Sequence, residues 1–401
     1  MTEPLPTVHS LAELAVVLGA NLQPGQILCL SSEPGKEQVA RAVAEVAYRR
    51  GAKFVDLNVF DYYFKRARAI HSDPELLDYV PPWYGERLLS VGDNRCALVY
   101  LAGPAAPNIM DGVSPELVGK DMLPHIRESS QVVNERTTNW TAVPCPTAGW
   151  AELVYPELDP APALERMWAE IGYVCRLDLD DPIAAWTQRL DRLEAVADKL
   201  SGLRLDALRF QGPGTDLRVG LFASSRWKCA RLTTVDGIAH SPNLPTEEVF
   251  TTPDPARVEG IVTSTKPLFQ SGAVITGLKV RFEAGRAVAI DADEGAGILR
   301  TLAERDDGAQ RLGEVALVDN ESRIGRLGTV FYDTLLDENA ASHIALGHGL
   351  DFAVDDPSDR DQVNSSQLHI DFMIGSDEVS VTGITGGGDE VPLLRRGAWQ
   401  I

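Results

Sequence analysis

Apolar runs alternate with helical patterns through the first half of the chain. Short apolar runs cover residues 26–31, 53–59 and 95–101, and each predicts a β-strand. Residues 35–50 carry Val39, Val43 and Val46 at helical spacing, and Gly51 follows as a stop signal. Strands that alternate with helices are typical of a parallel sheet. We therefore predict an α/β N-terminal domain with a parallel sheet over residues 1–204.

The pattern changes near residue 205, after a helix-rich stretch over residues 151–202. Beyond it the apolar runs are shorter, Gly and Thr are frequent, and residues 211–214 (Q-G-P-G) predict a turn between two strands. Residues 273–276, 279–282 and 287–290 suggest an antiparallel meander. We predict a second domain over residues 205–401, of the α+β class and mainly antiparallel.

Composition and charge narrow the choice of partners. The chain has 401 residues, 44% hydrophobic and 24% charged, which is ordinary for a globular protein with a large core. Its net charge of −21 argues against nucleic acid and anionic membranes as partners. Five scattered cysteines, no signal-peptide pattern and no long apolar run favour the cytoplasm. The loop at residues 32–35 (S-E-P-G) lacks G-x-G-x-x-G, so we expect no dinucleotide there.

Candidate chemistry gathers between residues 313 and 376. Glu314 follows Gly313, which we interpret as a turn glycine, and enters an apolar run that predicts a buried strand. His369 and Asp371 alternate with apolar residues, so both side chains should project from one face of a strand. Taken alone, such a pair is most simply explained as a structural ion pair.

The neighbours change that interpretation. Three carboxylates and two imidazoles lie within 58 positions: Glu314, Glu338, His343, His369 and Asp371. Nitrogen and oxygen ligands without cysteine suit Zn²⁺, Co²⁺ or Mn²⁺. Three carboxylates exceed what one catalytic zinc normally takes, and they favour two metals about 3.5–4 Å apart with a bridging carboxylate.

In this order, the motifs resemble those of the M29 metallo-aminopeptidases (aminopeptidase T and aminopeptidase S type). The matching segments are residues 214–217, 245–251 (P-T-E-E-V-F-T), 313–314, 337–340 (D-E-N-A), 343–347, 369–376 and 396–399. The resemblance implies a homodimer that removes N-terminal amino acids from peptides with two divalent ions per chain. It implies these metal ligands: Glu248, Glu314, Glu338, His343, His369 and Asp371. Glu314 is then the expected bridge, and Glu314 or Glu338 the carboxylate that transfers a proton.

Other residues near these motifs are not expected to be metal ligands. Glu247 should point away from the site, because successive strand residues face opposite sides. His240 is expected to be a surface histidine or a neighbour of the ligands. Leu350 stands where the family usually has a tyrosine thought to act in catalysis, so a phenol that could stabilise the oxyanion is missing. His348 is one candidate to replace it, although loop histidines without a catalytic role are more frequent.

Two alternative functions stay open at this point. A mononuclear iron dioxygenase of the dihydroxypyridine type, which resembles this family in fold, would need only His343, His369 and Asp371. It would not need three glutamates beside them, so the pattern favours the two-metal hydrolase. A metal-binding scaffold without turnover is the third interpretation, because the family tyrosine is absent. The metal content per chain, measured together with turnover, would separate the three.

Overall fold

The structure is a computed structural model that describes residues 6–121, 123–124, 126–270 and 273–401. The chain divides into two compact units, one of residues 1–187 with 231–245 and one of residues 188–230 with 246–401. Among the described residues, no helix combines the length and the apolar character needed to cross a membrane.

The helices and strands have the following bounds. The α-helices are α1 (Pro6–Glu13), α2 (Glu37–Arg49), α3 (Tyr62–His71), α4 (Pro82–Asp93), α5 (Pro115–Lys120), α6 (Arg127–Asn134), α7 (Ala148–Val154), α8 (Pro160–Val174), α9 (Pro182–Leu203), α10 (Ala296–Ala303), α11 (Arg323–Leu327), α12 (Thr334–Asp337) and α13 (Pro357–Arg360). A π-helix spans Leu14–Gly19, and short 3₁₀ helices span Pro74–Leu76, Glu338–Ala340 and Asp351–Ala353. The strands are β1 (Ile27–Ser32), β2 (Phe54–Val59), β3 (Ala97–Ala102), β4 (Asn139–Pro144), β5 (Leu205–Gly212), β6 (Thr215–Leu221), β7 (Lys228–Cys229), β8 (Leu232–Thr233), β9 (Ala239–His240), β10 (Glu248–Thr251), β11 (Pro253–Thr263), β12 (Leu268–Gln270), β13 (Ala273–Ile275), β14 (Lys279–Glu283), β15 (Arg286–Asp291), β16 (Leu312–Val318), β17 (His343–Gly347), β18 (His369–Met373), β19 (Ser380–Thr385), β20 (Glu390–Arg395) and β21 (Ala398–Trp399).

The first unit is built on a four-stranded parallel sheet in the order β2-β1-β3-β4. The three predicted strands appear as β1, β2 and β3, and the predicted helix as α2, whose Val39, Val43 and Val46 are buried. The prediction of a parallel α/β sheet is confirmed. Strand β4 was not predicted, because the polar residues Asn139 and Thr141 interrupt its apolar pattern.

A later segment of the chain returns to this sheet. The N–H of Ala142 on β4 donates to the carbonyl of Pro242 at 2.7 Å, and the N–H of Leu244 donates to the carbonyl of Ala142 at 3.1 Å. Residues 231–245 therefore belong to the first compact unit, and the two units part within α9, between Thr187 and Gln188. A division into folding domains at residues 204 and 205 stays a prediction.

The second unit is built on two large antiparallel sheets. One has eight strands in the order β15-β14-β11-β6-β5-β19-β20-β21, and the other has five in the order β18-β17-β16-β10-β7. Apolar side chains from both sheets and from α9 form one core, with Leu193, Phe210, Val219, Leu317 and Phe372 all buried. The predicted mainly antiparallel architecture is confirmed, and so is the turn between β5 and β6.

The predicted meander is wrong at its first strand. β13 pairs with β12 in a separate two-stranded sheet, whereas β14 and β15 form the predicted hairpin. Gly277, with φ +59°, separates β13 from β14 and allows the chain to change direction there. Ala284 and Gly285 both have positive φ, which suits the tight turn of the hairpin.

A substitution at Gly347, at the end of β17, would test how tightly the five-stranded sheet is packed. Its φ is +107°, and a Cβ atom there would lie 2.1 Å from the carbonyl oxygen of Leu368. We expect Gly347→Ala to destabilise the fold by about 1–3 kcal/mol, through backbone strain and overpacking. Gly386→Ala is the control, because a Cβ there meets nothing within 4 Å. Urea unfolding of both variants measures the difference, and equal midpoints would contradict this packing.

Candidate metal centre

One face of the five-stranded sheet collects the candidate ligands. Glu314 on β16 lies opposite Ala345 on β17, and Ala345 lies opposite Asp371 on β18. Directly opposed residues of an antiparallel sheet point to the same side. The two carboxylates therefore flank the small side chain of Ala345, which leaves space between them.

The same register brings the other strand-borne candidates to this face. His343 lies opposite Ala316, His369 opposite Gly347, and Glu248 opposite Val318. Ala316 and Val318 are two and four residues beyond Glu314, so they share its side of β16. The opposite face packs into the core with Val249, Val315, Leu317, Ile344, Ile370 and Phe372. Strict alternation along four strands thus separates an apolar face from a polar one.

Glu338 reaches the site from outside the sheet. It opens the 3₁₀ helix Glu338–Ala340, which follows α12 directly. Ligand atoms within 4.8 Å of one another form three groups: Glu248, Glu314 and His343; Glu314, His369 and Asp371; and Glu338, His343 and Asp371. The structure therefore brings together all six side chains that the sequence suggested as ligands.

Both imidazoles are held in the manner of metal ligands. The Nδ1 atom of His343 lies 3.2 Å from the carbonyl oxygen of Ala341, and the Nδ1 atom of His369 lies 2.9 Å from that of His348. A proton on Nδ1 can donate to each carbonyl, which leaves Nε2 free to bind a cation. The Nε2 atom of His343 lies 3.0 Å from Oε2 of Glu248.

His369 has a more open position than His343. Its Nε2 atom lies 3.3 Å from Oε2 of Glu314 and 3.4 Å from Oδ1 of Asp371. The side chain of His369 is 34% exposed to solvent, whereas that of His343 is 1% exposed. The site therefore meets solvent on the side of His369.

The electrostatics of the centre are those of a cation site. Burial raises the pKa of Glu314, and it raises the pKa of Glu338 well above its ordinary value. Burial alone would lower the pKa of His343, but contact with Glu248 raises it to about 10. Burial alone would also lower the pKa of His369, but the nearby charge of Asp371 outweighs this effect and raises the pKa well above its ordinary value. Four carboxylates around two imidazoles are a costly buried arrangement unless positive charge accompanies them.

Glu248 provides a direct test of whether the residues fit a metal. Its Oε2 atom is buried and makes no hydrogen bond of acceptable geometry, although His343 is 3.0 Å away. A buried carboxylate oxygen that lies beside an imidazole nitrogen without a well-formed hydrogen bond is explained when a cation binds both atoms. The oxygen and nitrogen donors present are those that Zn²⁺, Co²⁺ and Mn²⁺ prefer. The site therefore fits a divalent metal.

Glu247 points away from this centre, in agreement with the strand alternation. Its Oε2 atom accepts a hydrogen bond from Nε of Arg189 at 2.6 Å, and Arg189 also donates to Oδ1 of Asp319 at 3.1 Å. All three residues are buried. Sequence reasoning missed Arg189, because it lies 58 residues earlier, in α9, and no local pattern signals the pairing.

The remaining candidates have distinct positions. His240 is a buried residue of the first unit, where burial lowers its pKa to about 4, and it belongs to none of the three ligand groups. The expectation of a surface position is therefore wrong for His240. His348 is half-buried, its Nδ1 atom has no hydrogen-bond partner, and burial lowers its pKa. Leu350 is bound through its backbone to Oγ1 of Thr252.

Comparisons with known proteins find relatives that match almost the whole chain. A family model described as thermophilic metalloprotease (M29) matches residues 6–399. Aminopeptidase T of Thermus aquaticus is 40% identical over 402 residues, which cover 98% of each chain. Aminopeptidase 2 of Geobacillus stearothermophilus is 34% identical, over 97% of this chain and 96% of the relative. The solved structure of wild-type AmpT from Thermus thermophilus superposes with a TM-score of 0.91, at 38% identity over 98% and 99% of the two chains.

The charge balance of the centre predicts that metal stabilises the fold. Zn²⁺ or Co²⁺ at a hundredfold excess over its Kd should stabilise chelator-treated protein by about 2.7 kcal/mol, because the folded chain alone binds it. Glu248→Gln should lose most of the resulting rise in Tm. Asp361→Asn, which neutralises an exposed carboxylate, should retain it. Calorimetry with and without metal measures the rise, and an equal rise in both variants would place the metal elsewhere.

Proposed function

The chain belongs to the M29 metalloprotease family, and on that premise we propose that it removes N-terminal amino acids from peptides with two divalent ions. It is a metal-dependent aminopeptidase like its relatives. The observation that supports the two-ion proposal is the set of six ligands, which forms overlapping groups. The iron dioxygenase alternative is not supported, because both the family and the similar proteins are peptidases.

The residues divide naturally between two ions. Glu248, Glu338 and His343 would hold one, and His369 and Asp371 the other. Glu314 and Asp371 each belong to one group with His343 and to another with His369, which supports a shared carboxylate, and the family motifs favour Glu314 as that bridge. When bound, such ions polarise the scissile carbonyl and lower the pKa of water. Zn²⁺, Co²⁺ and Mn²⁺ all suit these donors.

We assign proton transfer to Glu338. It belongs to one ligand group only, and it enters from the 3₁₀ helix and not from the sheet. Burial raises the pKa of its carboxyl well above the ordinary value, which suits a group that takes up and returns a proton. The side chain of Leu350 has no hydrogen-bond donor that could stabilise an oxyanion. His348, whose carbonyl holds the imidazole of His369, is the candidate for that role.

The proposal includes a cytoplasmic homodimer. Large exposed apolar side chains are concentrated in residues 48–83 of the first unit: Tyr48, Phe54, Leu57, Val59, Tyr63, Phe64, Ile70, Leu76, Tyr79 and Trp83. This stretch includes β2, which is an edge strand of the parallel sheet. Exposed apolar surface beside a free edge favours a protein partner, and a second copy is the simplest one. The five cysteines all lie within the described residues and none forms a disulfide, as expected in a reducing compartment.

Glu314 and Glu247 form a matched pair for testing the ligand assignment. Glu314→Gln should lower turnover at least ~10²-fold, because it removes a charge that both ions would share and so weakens the activation of water. Glu247→Gln should retain most turnover but lower the Tm, because buried Arg189 loses the charge of a partner. Kinetics at matched metal loading, below both melting temperatures, compare the two. An inactive Glu247→Gln beside an active Glu314→Gln would reverse the assignment of the two glutamates.

The requirement for a free amine tests the exopeptidase proposal. A peptide with a free N-terminus should be cut one residue from its end, whereas its N-acetylated form should be inert, because the amine helps to orient the scissile bond. Mass spectrometry of the products shows whether each of the two peptides is cut and where. Equal cleavage of both would mean that the chain is not an aminopeptidase.

A further inference from the structure

Asn339 lies between two of the proposed ligands and is fully buried, at 0% exposure. Its Oδ1 atom accepts a hydrogen bond from the N–H of Glu247 at 2.7 Å. Its Nδ2 atom donates to the carbonyl of Leu335 at 2.9 Å and to Oε1 of Glu338 at 3.4 Å. The amide thus contacts one ligand directly and the residue that precedes another, Glu248.

These contacts join two parts of the site that the sheet does not connect. Glu248 lies on β10, whereas Glu338 lies on the 3₁₀ helix Glu338–Ala340. Asn339 bridges the two segments across 92 residues of sequence. Its own backbone is also held, because Oγ of Ser322 donates to its carbonyl at 2.7 Å. The side-chain amide is therefore a rigid link.

The chemistry of the link requires an amide. One end must accept from a backbone N–H, and the other must donate to a carbonyl and a carboxylate. Aspartate keeps the acceptor but loses the donors, and it places a second negative charge beside Glu338. Alanine loses both functions and leaves buried polar groups without their partner, which is costly.

We propose that Asn339 is a positioning residue that fixes Glu248 and Glu338 around the ion shared with His343. The inference rests on the proposed two-metal function. Glu248 and Glu338 each belong to a ligand group that contains His343. The third group, of Glu314, His369 and Asp371, is built from β16 and β18, and although it shares one carboxylate with each of the other groups, it includes neither Glu248 nor Glu338. Loss of the amide should therefore weaken the binding of the ion near His343 and leave the ion near His369 in place.

Equilibrium dialysis with Co²⁺, with the bound metal quantified per chain, tests this selectivity. Asn339→Ala and the isosteric Asn339→Asp should each bind one of two ions about 10- to 100-fold more weakly, as is typical when a partner of a metal ligand is removed. The second ion should keep the affinity of the unaltered protein. Asn339→Asp preserves the packing volume, so it keeps the test valid if Asn339→Ala does not fold.

Asn139→Ala is the matched control. Asn139 is also a buried asparagine, and its Nδ2 atom donates to the carbonyl of Ala20 at 2.6 Å in the first unit. Its replacement should lower the Tm and leave both Co²⁺ affinities unchanged. Unchanged affinities in both Asn339 variants, or equal weakening of both ions in proportion to the loss of Tm, would overturn the positioning role. If the unaltered protein bound no Co²⁺, the proposed function itself would fail.

Discussion

Four carboxylates and two imidazoles meet at one largely buried face of a β-sheet, and the stability of the centre depends on how their charge is balanced. The residues Glu248, Glu314, Glu338 and Asp371 are all less than 10% exposed. Protein interiors accept such groups only when they are paired, hydrogen-bonded or bound to metal. The two imidazoles balance part of the negative charge, and a divalent cation is the simplest complement for the rest.

The sheet makes this concentration of charge geometrically possible. Its other face supplies the apolar packing that fixes the four strands, so the polar side chains cannot rotate to the outside by a shift in register. Ala345 and Gly347, on β17, lie opposite Asp371 and His369 of β18, where larger side chains would fill the site. Gly313 adds to the tight fit, because a Cβ atom there would lie 2.2 Å from the carbonyl oxygen of His348.

Local spacing predicted the parts of this arrangement that depend on local geometry. The alternation at His369 and Asp371 placed both on one face, and the alternation at Glu247 and Glu248 separated them. The interpretation of Gly313 as a turn glycine was wrong, because it lies within β16 at a register irregularity, a feature of strand pairing that one strand alone cannot reveal.

Sequence patterns did not predict the contacts between distant segments. The partnership of Arg189 with Glu247, the return of residues 231–245 to the parallel sheet and the pairing of β12 with β13 each depend on which segments meet in three dimensions. Five of the six candidate ligands were found by their proximity in the sequence, whereas Glu248 was added by the resemblance to a family, since spacing alone could not show that β10 lies beside β16.

A crystal structure of the Zn²⁺-loaded protein, with anomalous diffraction recorded at the zinc edge, tests the central claim most directly. We predict two anomalous peaks per chain, about 3.5–4 Å apart, with Glu314 in contact with both and with His343 and His369 on different ions. A single peak, or two peaks that do not share Glu314, would contradict the proposed two-metal centre.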